Sequence, residues 1–390
     1  MNMNNFSSKT AIAGYGATEF SKNSGRSELR LAVEATLAAL ADAGIDPGEV
    51  DGMSSFVMDN NSEQEIFRAI GGKDLKFFSR IGQGGGASCA PLQQAAMAIA
   101  CGVAKVVVCY RAMNERSEYR FGTPMHSLPP TSDNVIFAYH GAAGLMTPAA
   151  MIALMMRRYM HETGATSLDF ANYAVTARKF AATNPNAFFY GKPITIADHQ
   201  ASRMIADPLR LLDCCQESDG GVAIVVTSAE RARDLRQKPV YIRAAAQGSP
   251  GGSVSLGGFY RDDISPRDES AAAARQLYAQ SGLGPKDIQA AILYDHFGPS
   301  ILPSLEAYGF CARGEAKDFI KNGNIEIGGT LPLNMHGGQL GEAYIHGVNG
   351  ITEAVRQLRG QAVNQVPGVK TMLVTGGSGL PTSAAILGVE

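Results

Sequence analysis

Apolar residues recur along the chain in two patterns, short unbroken runs and longer stretches with helical spacing. The run at 10–14 predicts a strand, and the leucines and alanines of 28–43 predict a helix that ends at Gly44 as a left-handed cap. A turn led by Pro47 and a strand at 53–57 follow. The chain therefore begins with a β-α-β unit.

The same order of elements returns in the second half of the chain. Gly282 follows a helix as Gly44 does, and Pro285 opens the next turn as Pro47 does, with the same offset between the members of each pair. This equal offset favours an internal duplication, although two β-α-β units can also look alike without a common origin. The repeated elements are a strand at 240–245, a helix at 269–280 and a strand at 290–294.

A glycine-rich segment occurs once in each half and leads into a helix and then a buried strand. Two halves of this kind predict an α/β protein with two sheets and five layers, α-β-α-β-α, in which the helix after each glycine segment is buried between the sheets. The segments are 82–86 with helix 89–100 and strand 105–110, and 334–350 with helix 351–358 and strand 371–374.

The N-terminal half is longer because it contains an insertion. We expect the halves to be 1–240 and 241–390, with the insertion at about 112–212, ahead of a strand at 221–227. A methionine-rich stretch at 146–160 predicts a helix within it. Insertions of this length usually cover an active site, so this one is predicted to be a lid over the substrate.

The segment 334–350 contains five glycines, a tyrosine and two histidines in an order without helical or strand periodicity. Glycine is concentrated where the backbone needs a positive φ or passes close to a ligand. The segment is therefore predicted to be an ordered functional loop rather than a packed helix or strand. Its side chains with acid-base chemistry are His336, Tyr344 and His346.

Composition and charge exclude several classes of function. The chain has 390 residues, 45% of them hydrophobic, and a net charge of -2 that gives no electrostatic reason to bind nucleic acid or an anionic membrane. No apolar run approaches the ~20 residues of a membrane span, and residues 1–9 lack the apolar core of a signal peptide. The six cysteines have no metal-type spacing. We therefore expect a cytoplasmic protein without a metal site.

Two short motifs indicate other chemistry, and both are incomplete. Gly82, Gly84 and Ala87 have the spacing of a dinucleotide-binding loop, but no acidic residue ends the strand that follows. Ser378 lies in a run like a nucleophile elbow, but Leu380 stands where its last glycine belongs. Neither motif predicts a bound cofactor or a serine nucleophile.

Three segments resemble the sterol carrier protein type thiolases of the thiolase superfamily. Cys214-Cys215-Gln216-Glu217-Ser218-Asp219-Gly220 matches their C-C-x-x-S-D-G run, and Tyr294-Asp295-His296-Phe297 is similar to their H-D-x-F segment. The segment 334–350 follows their glycine loop without a gap. The resemblance covers essentially the whole chain and implies the thiolase fold, a duplicated five-layer architecture with an inserted loop domain.

The chain departs from this family where the family carries its catalytic groups. The nucleophilic cysteine is expected at the start of the small-residue helix, where this chain has Gly84-Gly85-Gly86. Cys89 comes later, on the helix itself, and is more readily a packed small residue than a shifted nucleophile. The two family histidines fall on Tyr294 and Tyr344. Without a thiolate and its imidazole, thiolysis and Claisen condensation have no acyl carrier.

Paired tyrosines make the chain similar to the thiolase-like lipid transfer proteins associated with steroid side-chain cleavage. The reaction of that subgroup is retro-aldol cleavage of a 17-hydroxy steroid with a C-20 carboxyl-CoA, which yields a 17-keto steroid and propionyl-CoA. This chemistry needs a base, an acid and donors for an enolate oxygen, but no covalent intermediate. CoA would then enter as part of the substrate, and no separate cofactor is expected.

Our hypothesis is that Tyr294 is the base and Tyr344 the acid, although the sequence leaves these two roles exchangeable. A tyrosine has an unperturbed pKa of ~10, so a phenolate at neutral pH needs roughly 4 kcal/mol of stabilisation. The candidates for supplying that stabilisation are Asp295, His296, His336 and His346.

Donors for the enolate oxygen are expected among backbone amides near the missing cysteine and in the terminal glycine run. Such donors typically contribute ~3 to 4 kcal/mol each. The lost cysteine side chain is also expected to leave room for a branched α-methyl substrate. The candidate oxyanion and substrate-binding residues are Gly86, Gly376, Gly377, Ser300 and His346.

The resemblance also implies partners. Thiolase folds dimerise through a central strand and the helix that enters the site, so a homodimer is expected. The aldolase subgroup works with a small OB-fold, zinc-ribbon protein that binds acyl-CoA. Two other functions stay open, an acyl-CoA thiolase or acyltransferase that uses Cys89, and a non-catalytic carrier of acyl-CoA or lipid.

Overall fold

The computed structural model describes residues 6–118, 120, 135–251 and 261–390. Its strands are β1 (Thr10–Ala17), β2 (Gly52–Phe56), β3 (Phe77–Ile81), β4 (Val106–Asn114), β5 (Met204–Ala206), β6 (Leu209–Arg210), β7 (Asp219–Ser228), β8 (Val240–Gly248), β9 (Ala290–Ile292), β10 (Thr371–Thr375) and β11 (Thr382–Gly388). Its helices are α1 (Glu28–Ala43), α2 (Glu63–Ala69), α3 (Ala90–Ala100), α4 (Val135–Ala142), α5 (Pro148–Thr163), α6 (Ser167–Thr183), α7 (Ile196–Ala201), α8 (Ala229–Arg233), α9 (Asp268–Ser281), α10 (Ile301–Ala307), α11 (Ala316–Phe319), α12 (Gly338–Gly341) and α13 (Val348–Arg359).

Nine of these strands form a mixed sheet in the order β3-β2-β4-β7-β1-β8-β11-β10-β9, and β5 pairs with β6. The first five strands of that order come from the N-terminal half and the last four from the C-terminal half. The two groups join where β1 pairs with β8, at Ala11 with Tyr241 and Ile12 with Val240. The sequence predicted two separate sheets, whereas this short antiparallel junction between the inner edge strands links the two groups into one hydrogen-bonded sheet.

The strand order of the second group repeats that of the first. β8-β11-β10-β9 has the same sequence of antiparallel, antiparallel and parallel pairings as β1-β7-β4-β2. In the second group the place of β3, beside the last strand, is taken by a single parallel bridge between Ala291 and Leu333. This repeat of topology is what the predicted internal duplication requires.

The first helix shows how the sequence specifies these elements. Ser27 caps α1 by accepting a hydrogen bond from the backbone of Arg30, and Gly44 ends the helix with φ 73°. The helix lies directly on β1 because Gly16 has no side chain, since a Cβ there would meet the Ala35 carbonyl oxygen at 2.3 Å. The observed bounds of α1 are those predicted from its apolar spacing.

The helices α3 and α13 form a buried central layer. Leu92 and Ile99 of α3 and Ile351 of α13 belong to one hydrophobic cluster with strand residues from both halves, among them Val222 and Val374. Burial of this layer on both faces removes apolar surface from water and so stabilises the fold. The predicted pair of helices between the two groups of strands is confirmed.

The segment 334–350 is more helical than predicted. It contains the short helix α12, and α13 begins inside it at Val348. Gly347 makes that early start possible because it takes a left-handed conformation, φ 79°, at the residue before the helix. The prediction that no packed helix would occur here was wrong at these two places, and the residues between α12 and α13 form the loop.

The described part of the insertion packs on the C-terminal half. Met155, Met156 and Phe170 lie in a second hydrophobic cluster with Leu293 and Ile386, so the methionine stripe is a packed core. The α5 helix begins at Pro148, later than predicted, because Thr147 caps it. The backbone amides of residues 188 and 189 donate to carbonyl oxygens at 342 and 341, so the insertion covers the segment 334–350. Residues 119 and 121–134 of the insertion lie outside the described residues.

Candidate active site

Two buried tyrosines meet at the carboxyl ends of the parallel strands β9 and β10. The Tyr294 hydroxyl donates to the Tyr344 hydroxyl oxygen, with 3.0 Å between the two oxygens. Tyr294 follows β9 and its backbone amide donates to Thr375 Oγ1 at 3.0 Å. The Tyr344 amide donates to Ser218 Oγ at 3.3 Å, so the C-C-x-x-S-D-G run positions the second tyrosine. The structure therefore brings together the two residues that the sequence selected as acid and base.

Glycine backbone surrounds the ring of Tyr294. A Cβ at Gly85 would meet Tyr294 Oη at 1.9 Å, and one at Gly347 would meet the ring at 2.7 Å. At Gly86 a Cβ would meet the Pro381 carbonyl oxygen at 2.3 Å. The missing cysteine was expected to leave room for a substrate methyl. That expectation is wrong at Gly85, where the Tyr294 hydroxyl fills the space, and at Gly86, where the Pro381 carbonyl fills it.

His296 lies on the same side of the chain as Tyr294, with 5.0 Å between the ring centroids. Burial lowers the pKa of His296 to about 3, so the imidazole is neutral at physiological pH. Neither ring nitrogen has a hydrogen-bond partner among the described residues. A neutral imidazole always carries one N–H, and leaving that donor unpaired costs roughly 1–3 kcal/mol, so His296 is a strong candidate to bind a substrate oxygen.

His346 lies on the other side of the pair, with 5.0 Å between its ring centroid and that of Tyr344. Its Nδ1 lies 2.5 Å from Nη2 of Arg111, a residue of β4 with a fully buried side chain. Arg111 is a candidate functional residue that the sequence analysis did not select. The available signal was an arginine within an apolar run that predicts a buried strand, since a charge is retained there only when it is paired.

Asp295 points away from the two hydroxyls. Its carboxylate accepts hydrogen bonds from the Tyr173 hydroxyl at 2.7 Å and from the Gln339 amide at 2.8 Å. Gly338 allows this contact, since a Cβ there would meet Asp295 Oδ2 at 2.0 Å. Burial raises the pKa of Asp295, and the Gln339 and Tyr173 hydrogen bonds oppose that rise. Asp295 thus ties the helix α12 to the end of β9 and acts by holding the loop in place.

His336 belongs to a separate buried network beneath the loop. Its Nε2 lies 3.9 Å from Glu342 Oε2, and the other Glu342 oxygen lies 3.2 Å from Arg356 Nη2. Asn349 donates to Glu342 Oε2 at 2.9 Å. Burial lowers the pKa of His336, so this imidazole is neutral. The predicted direct role of His336 in catalysis gains no contact to the tyrosine hydroxyls here.

The backbone amides expected to hold the enolate oxygen are already engaged. The Gly86 amide donates to the Gln83 carbonyl at 3.0 Å, the Gly376 amide to the Ser383 carbonyl at 2.6 Å and the Gly377 amide to the Gly85 carbonyl at 3.0 Å. These bonds close the two glycine turns against each other and fix the wall beside Tyr294. The role of this backbone as the oxyanion site stays a prediction, and the unpaired His296 imidazole is a further candidate.

Two buried serine hydroxyls, those of Ser300 and Ser378, have no hydrogen-bond partner among the described residues. Ser300 lies on the turn before α10, with its Oγ unpaired and its carbonyl accepting from Ser304 Oγ at 2.8 Å. Ser378 Oγ is likewise buried and unpaired, in the terminal glycine run. Ser300 stays a predicted substrate-binding residue, and Ser378 joins it as a candidate.

Comparison with known proteins places this site in a family. A thiolase C-terminal domain-like family model matches residues 258–388. The 17-hydroxy-3-oxo-4-pregnene-20-carboxyl-CoA lyase of Mycobacterium tuberculosis is 60% identical over 384 residues, which are 98% of this chain and 100% of that protein. The chain belongs to the steroid side-chain aldolases of the thiolase superfamily. The resemblance seen in the three sequence segments is confirmed.

Further comparisons support this membership. The steroid side-chain-cleaving aldolase of Thermomonospora curvata is 60% identical over 382 residues, which are 97% of this chain and 98% of that protein. A solved structure described as an Ltp2-ChsH2(DUF35) aldolase has a TM-score of 0.95 and 59% identity, with 99% of both chains covered. The predicted thiolase-type α/β fold is confirmed.

A thiolase mechanism needs a reactive thiol, and Cys89 lacks the surroundings of one. Cys89 is fully buried, its Sγ lies 3.6 Å from the Val374 carbonyl, and burial raises its pKa to about 12. We expect iodoacetamide at pH 8 to leave Cys89 unmodified while it alkylates the exposed Cys101, as measured by peptide mass spectrometry. Cys89→Ala is expected to keep the wild-type cleavage rate. Alkylation of Cys89 together with acetyl transfer to it would instead support the thiolase alternative.

The described ranges hold neither a cluster of metal ligands nor a membrane-spanning helix. No group of three or more histidine, cysteine, aspartate or glutamate side chains there is arranged to hold a metal ion. None of the described helices has the length and apolar character that a membrane crossing needs.

Proposed function

We propose that this chain is a retro-aldolase that cleaves the side chain of a 17-hydroxy steroid with a C-20 carboxyl-CoA, to give a 17-keto steroid and propionyl-CoA. The observation that carries the proposal is the pair of tyrosine hydroxyls 3.0 Å apart, at the positions of two family histidines. The 60% identity to the lyase over 98% of this chain names the substrate class.

The reaction matches what the site offers and what it lacks. The bond between the hydroxyl-bearing carbon and the α-carbon of the thioester breaks, the hydroxyl proton leaves, and the electron pair forms the enolate of propionyl-CoA. A proton is delivered to the α-carbon in the same relay that removes the hydroxyl proton. Because no acyl-enzyme forms, the buried and protonated Cys89 is not required.

The ionisation of the pair favours a proton relay over a resting phenolate. Burial raises the pKa of Tyr294 and of Tyr344 well above the ordinary tyrosine value, so both are neutral before substrate reacts. In one concerted relay Tyr344 gives its proton to the α-carbon, Tyr294 passes its own along the existing hydrogen bond to Tyr344, and Tyr294 takes the substrate hydroxyl proton. Tyr294 is proposed as the base and Tyr344 as the acid, and the same groups run the reverse condensation.

The enolate oxygen is proposed to bind His296 rather than the glycine amides. The imidazole is neutral, buried and free of partners among the described residues, so it donates a hydrogen bond without first giving one up. A preorganised donor of this kind typically contributes ~3 to 4 kcal/mol to the transition state. His346 and the Ser300 hydroxyl complete the proposed contacts to substrate.

Assembly is proposed from the family and from one edge of the sheet. β3 is an edge strand, with Phe78 56% exposed on it and Met97 43% exposed on the adjacent α3, which supports a homodimer formed through this strand and helix. The related aldolase structure has a second component in its name, ChsH2(DUF35). A small OB-fold, zinc-ribbon protein that binds acyl-CoA is accordingly proposed as partner, in the cytoplasm, with no cofactor beyond the CoA of the substrate.

The decisive experiment follows both products from a defined substrate. The chain, purified with its DUF35-type partner, is incubated with the 17-hydroxy steroid carboxyl-CoA and with the 17-deoxy analogue. We expect mass spectrometry to show equal amounts of 17-keto steroid and propionyl-CoA from the first substrate and no cleavage of the second. Tight binding of both substrates without turnover would favour the carrier alternative, and CoA-dependent acyl transfer would favour the thiolase alternative.

A further inference from the structure

Arg111 is a buried charge held at a fixed place behind the tyrosine pair. Its side chain is fully buried, and its Nη1 donates to the carbonyl oxygens of Phe56 and Val57, each at 3.0 Å. The guanidinium also lies over the Phe56 ring, 4.6 Å from the centroid. Asp59 lies 4.0 Å from Nη1 and itself accepts from the Ala112 amide. A buried charge is costly unless it is paired. The contact made by the other terminal nitrogen, Nη2, is therefore informative.

The remaining contact is to His346. Arg111 Nη2 lies 2.5 Å from His346 Nδ1. A guanidinium stays protonated and can only donate, so Nδ1 must be the acceptor and the imidazole proton must reside on Nε2. The His346 backbone is held at φ 46°, a conformation that costs free energy for a side-chain-bearing residue and therefore indicates a position determined by its surroundings.

We propose that Arg111 is a positioning residue of the tyrosine pair, which holds His346 as a neutral Nε2–H donor and places a fixed positive charge behind Tyr344. The inference rests on the proposed function for what the pair does. In the relay, negative charge passes transiently through the two phenol oxygens. A guanidinium one ring away stabilises that charge in a low-dielectric interior, and a neutral His346 adds a hydrogen-bond donor without competing for the proton.

The electrostatic surroundings agree with this assignment. Burial first, then the Arg111 charge and His296, keep the pKa of His346 well below its ordinary value. Burial raises the pKa of Tyr294, and Arg111 opposes that rise. Asp59, with Oδ2 4.0 Å from Arg111 Nη1, offsets part of the arginine charge. Three further titratable groups, Glu28, Glu115 and Cys215, act electrostatically on Arg111 or on the tyrosine pair. Burial raises the pKa values of Glu115 and Cys215 and so keeps both groups neutral.

The first test measures the imidazole in the resting protein and needs no turnover. The chain, with its partner, is labelled with ¹⁵N-histidine, and the His346 signals among the seven histidines are assigned with His346→Asn. We expect wild type to show the Nε2–H tautomer without protonation from pH 6 to 8. Arg111→Lys keeps the charge and is expected to keep most of this state, whereas Arg111→Met is expected to give a tautomer mixture that protonates at higher pH.

Either of two results in this test overturns the proposal. One is a wild-type His346 with its proton on Nδ1, and the other is an unchanged tautomer and titration in Arg111→Met. Should Arg111→Met fail to fold, the wild-type spectrum decides, because a proton on His346 Nδ1 overturns the proposal without any variant. A protein that shows the expected tautomer but no cleavage would refute the proposed function and leave this inference standing.

The second test separates the donor from the acceptor of the imidazole by kinetics. His346→Asn keeps an amide near Nδ1 for Arg111 and tolerates φ 46°, but it removes the donor at Nε2. His346→Gln puts an amide N–H near the Nε2 position and removes the acceptor. We expect kcat to fall by about 100-fold in His346→Asn and by under about 10-fold in His346→Gln, with KM changed little in both. A reversed order, or an effect confined to KM, would contradict the proposal.

Discussion

Replacing Tyr294 or Tyr344 with phenylalanine is expected to lower kcat for side-chain cleavage by at least about 10³-fold, within the range by which positioned acids and bases accelerate proton transfer. Each substitution removes one oxygen of the pair whose members lie 3.0 Å apart and leaves the ring packing in place. KM is expected to change little, since neither hydroxyl is required to bind the steroid or CoA. Release of propionyl-CoA under single-turnover conditions measures the effect.

The relay predicts that the two losses are not additive. Because a single missing hydroxyl already interrupts the proton path, the Tyr294→Phe/Tyr344→Phe variant is expected to be no slower than the worse single variant. Each variant should lose only about 1 kcal/mol of unfolding free energy, the typical net value of a hydrogen bond. Tyr241→Phe is the matched control, a buried tyrosine on β8 whose hydroxyl accepts from Arg233 Nε at 3.3 Å. Full activity in either site variant would remove that residue from the mechanism.

Much of the fold was predictable because its elements carry local signals. Apolar spacing and the cap at Gly44 predicted α1 to the residue, and the repeated offset predicted the repeated strand order. The start of α13 was missed because Gly347, which usually indicates a loop, here provides the left-handed residue that precedes the helix. The joining of β1 and β8 depends on contacts between distant segments, for which a single sequence has no periodic signal.

The site was predictable in its residues but not in their orientations. Successive side chains alternate along extended backbone, so Tyr294 and His296 face one side after β9 while Asp295 faces the other. This alternation could have predicted that Asp295 faces away from the tyrosine pair, and its contact with Tyr173 agrees with that. The engaged amide of Gly376 depends on how two glycine turns close on each other, and only the three-dimensional structure contains that information.

Gly85→Ala is expected to reduce kcat by about 100-fold or more, because catalysis is sensitive to displacement of a reacting group by about 1 Å. The backbone at Gly85 has an ordinary φ, so an alanine is not strained by itself. Its methyl would lie 1.9 Å from Tyr294 Oη, so the tyrosine hydroxyl must leave its position 3.0 Å from the Tyr344 hydroxyl to admit it. A stability cost of about 1–3 kcal/mol is expected from this overpacking. Thermal unfolding and the cleavage rate are measured on the same preparation.

Two companion variants separate the steric cause from a general weakness of the glycine turn. Gly82→Ala, in the same turn, also has an ordinary φ and has no atom within 4 Å of the new methyl, so stability and activity should stay at wild-type values. Gly85→Ala/Tyr294→Leu removes the phenol end that blocks the methyl and should regain stability without regaining activity. An active Gly85→Ala would show that the hydroxyl position beside Gly85 is not the catalytic one. The expected result would explain why a glycine stands at position 85, since a side chain there and the Tyr294 hydroxyl cannot occupy the same space.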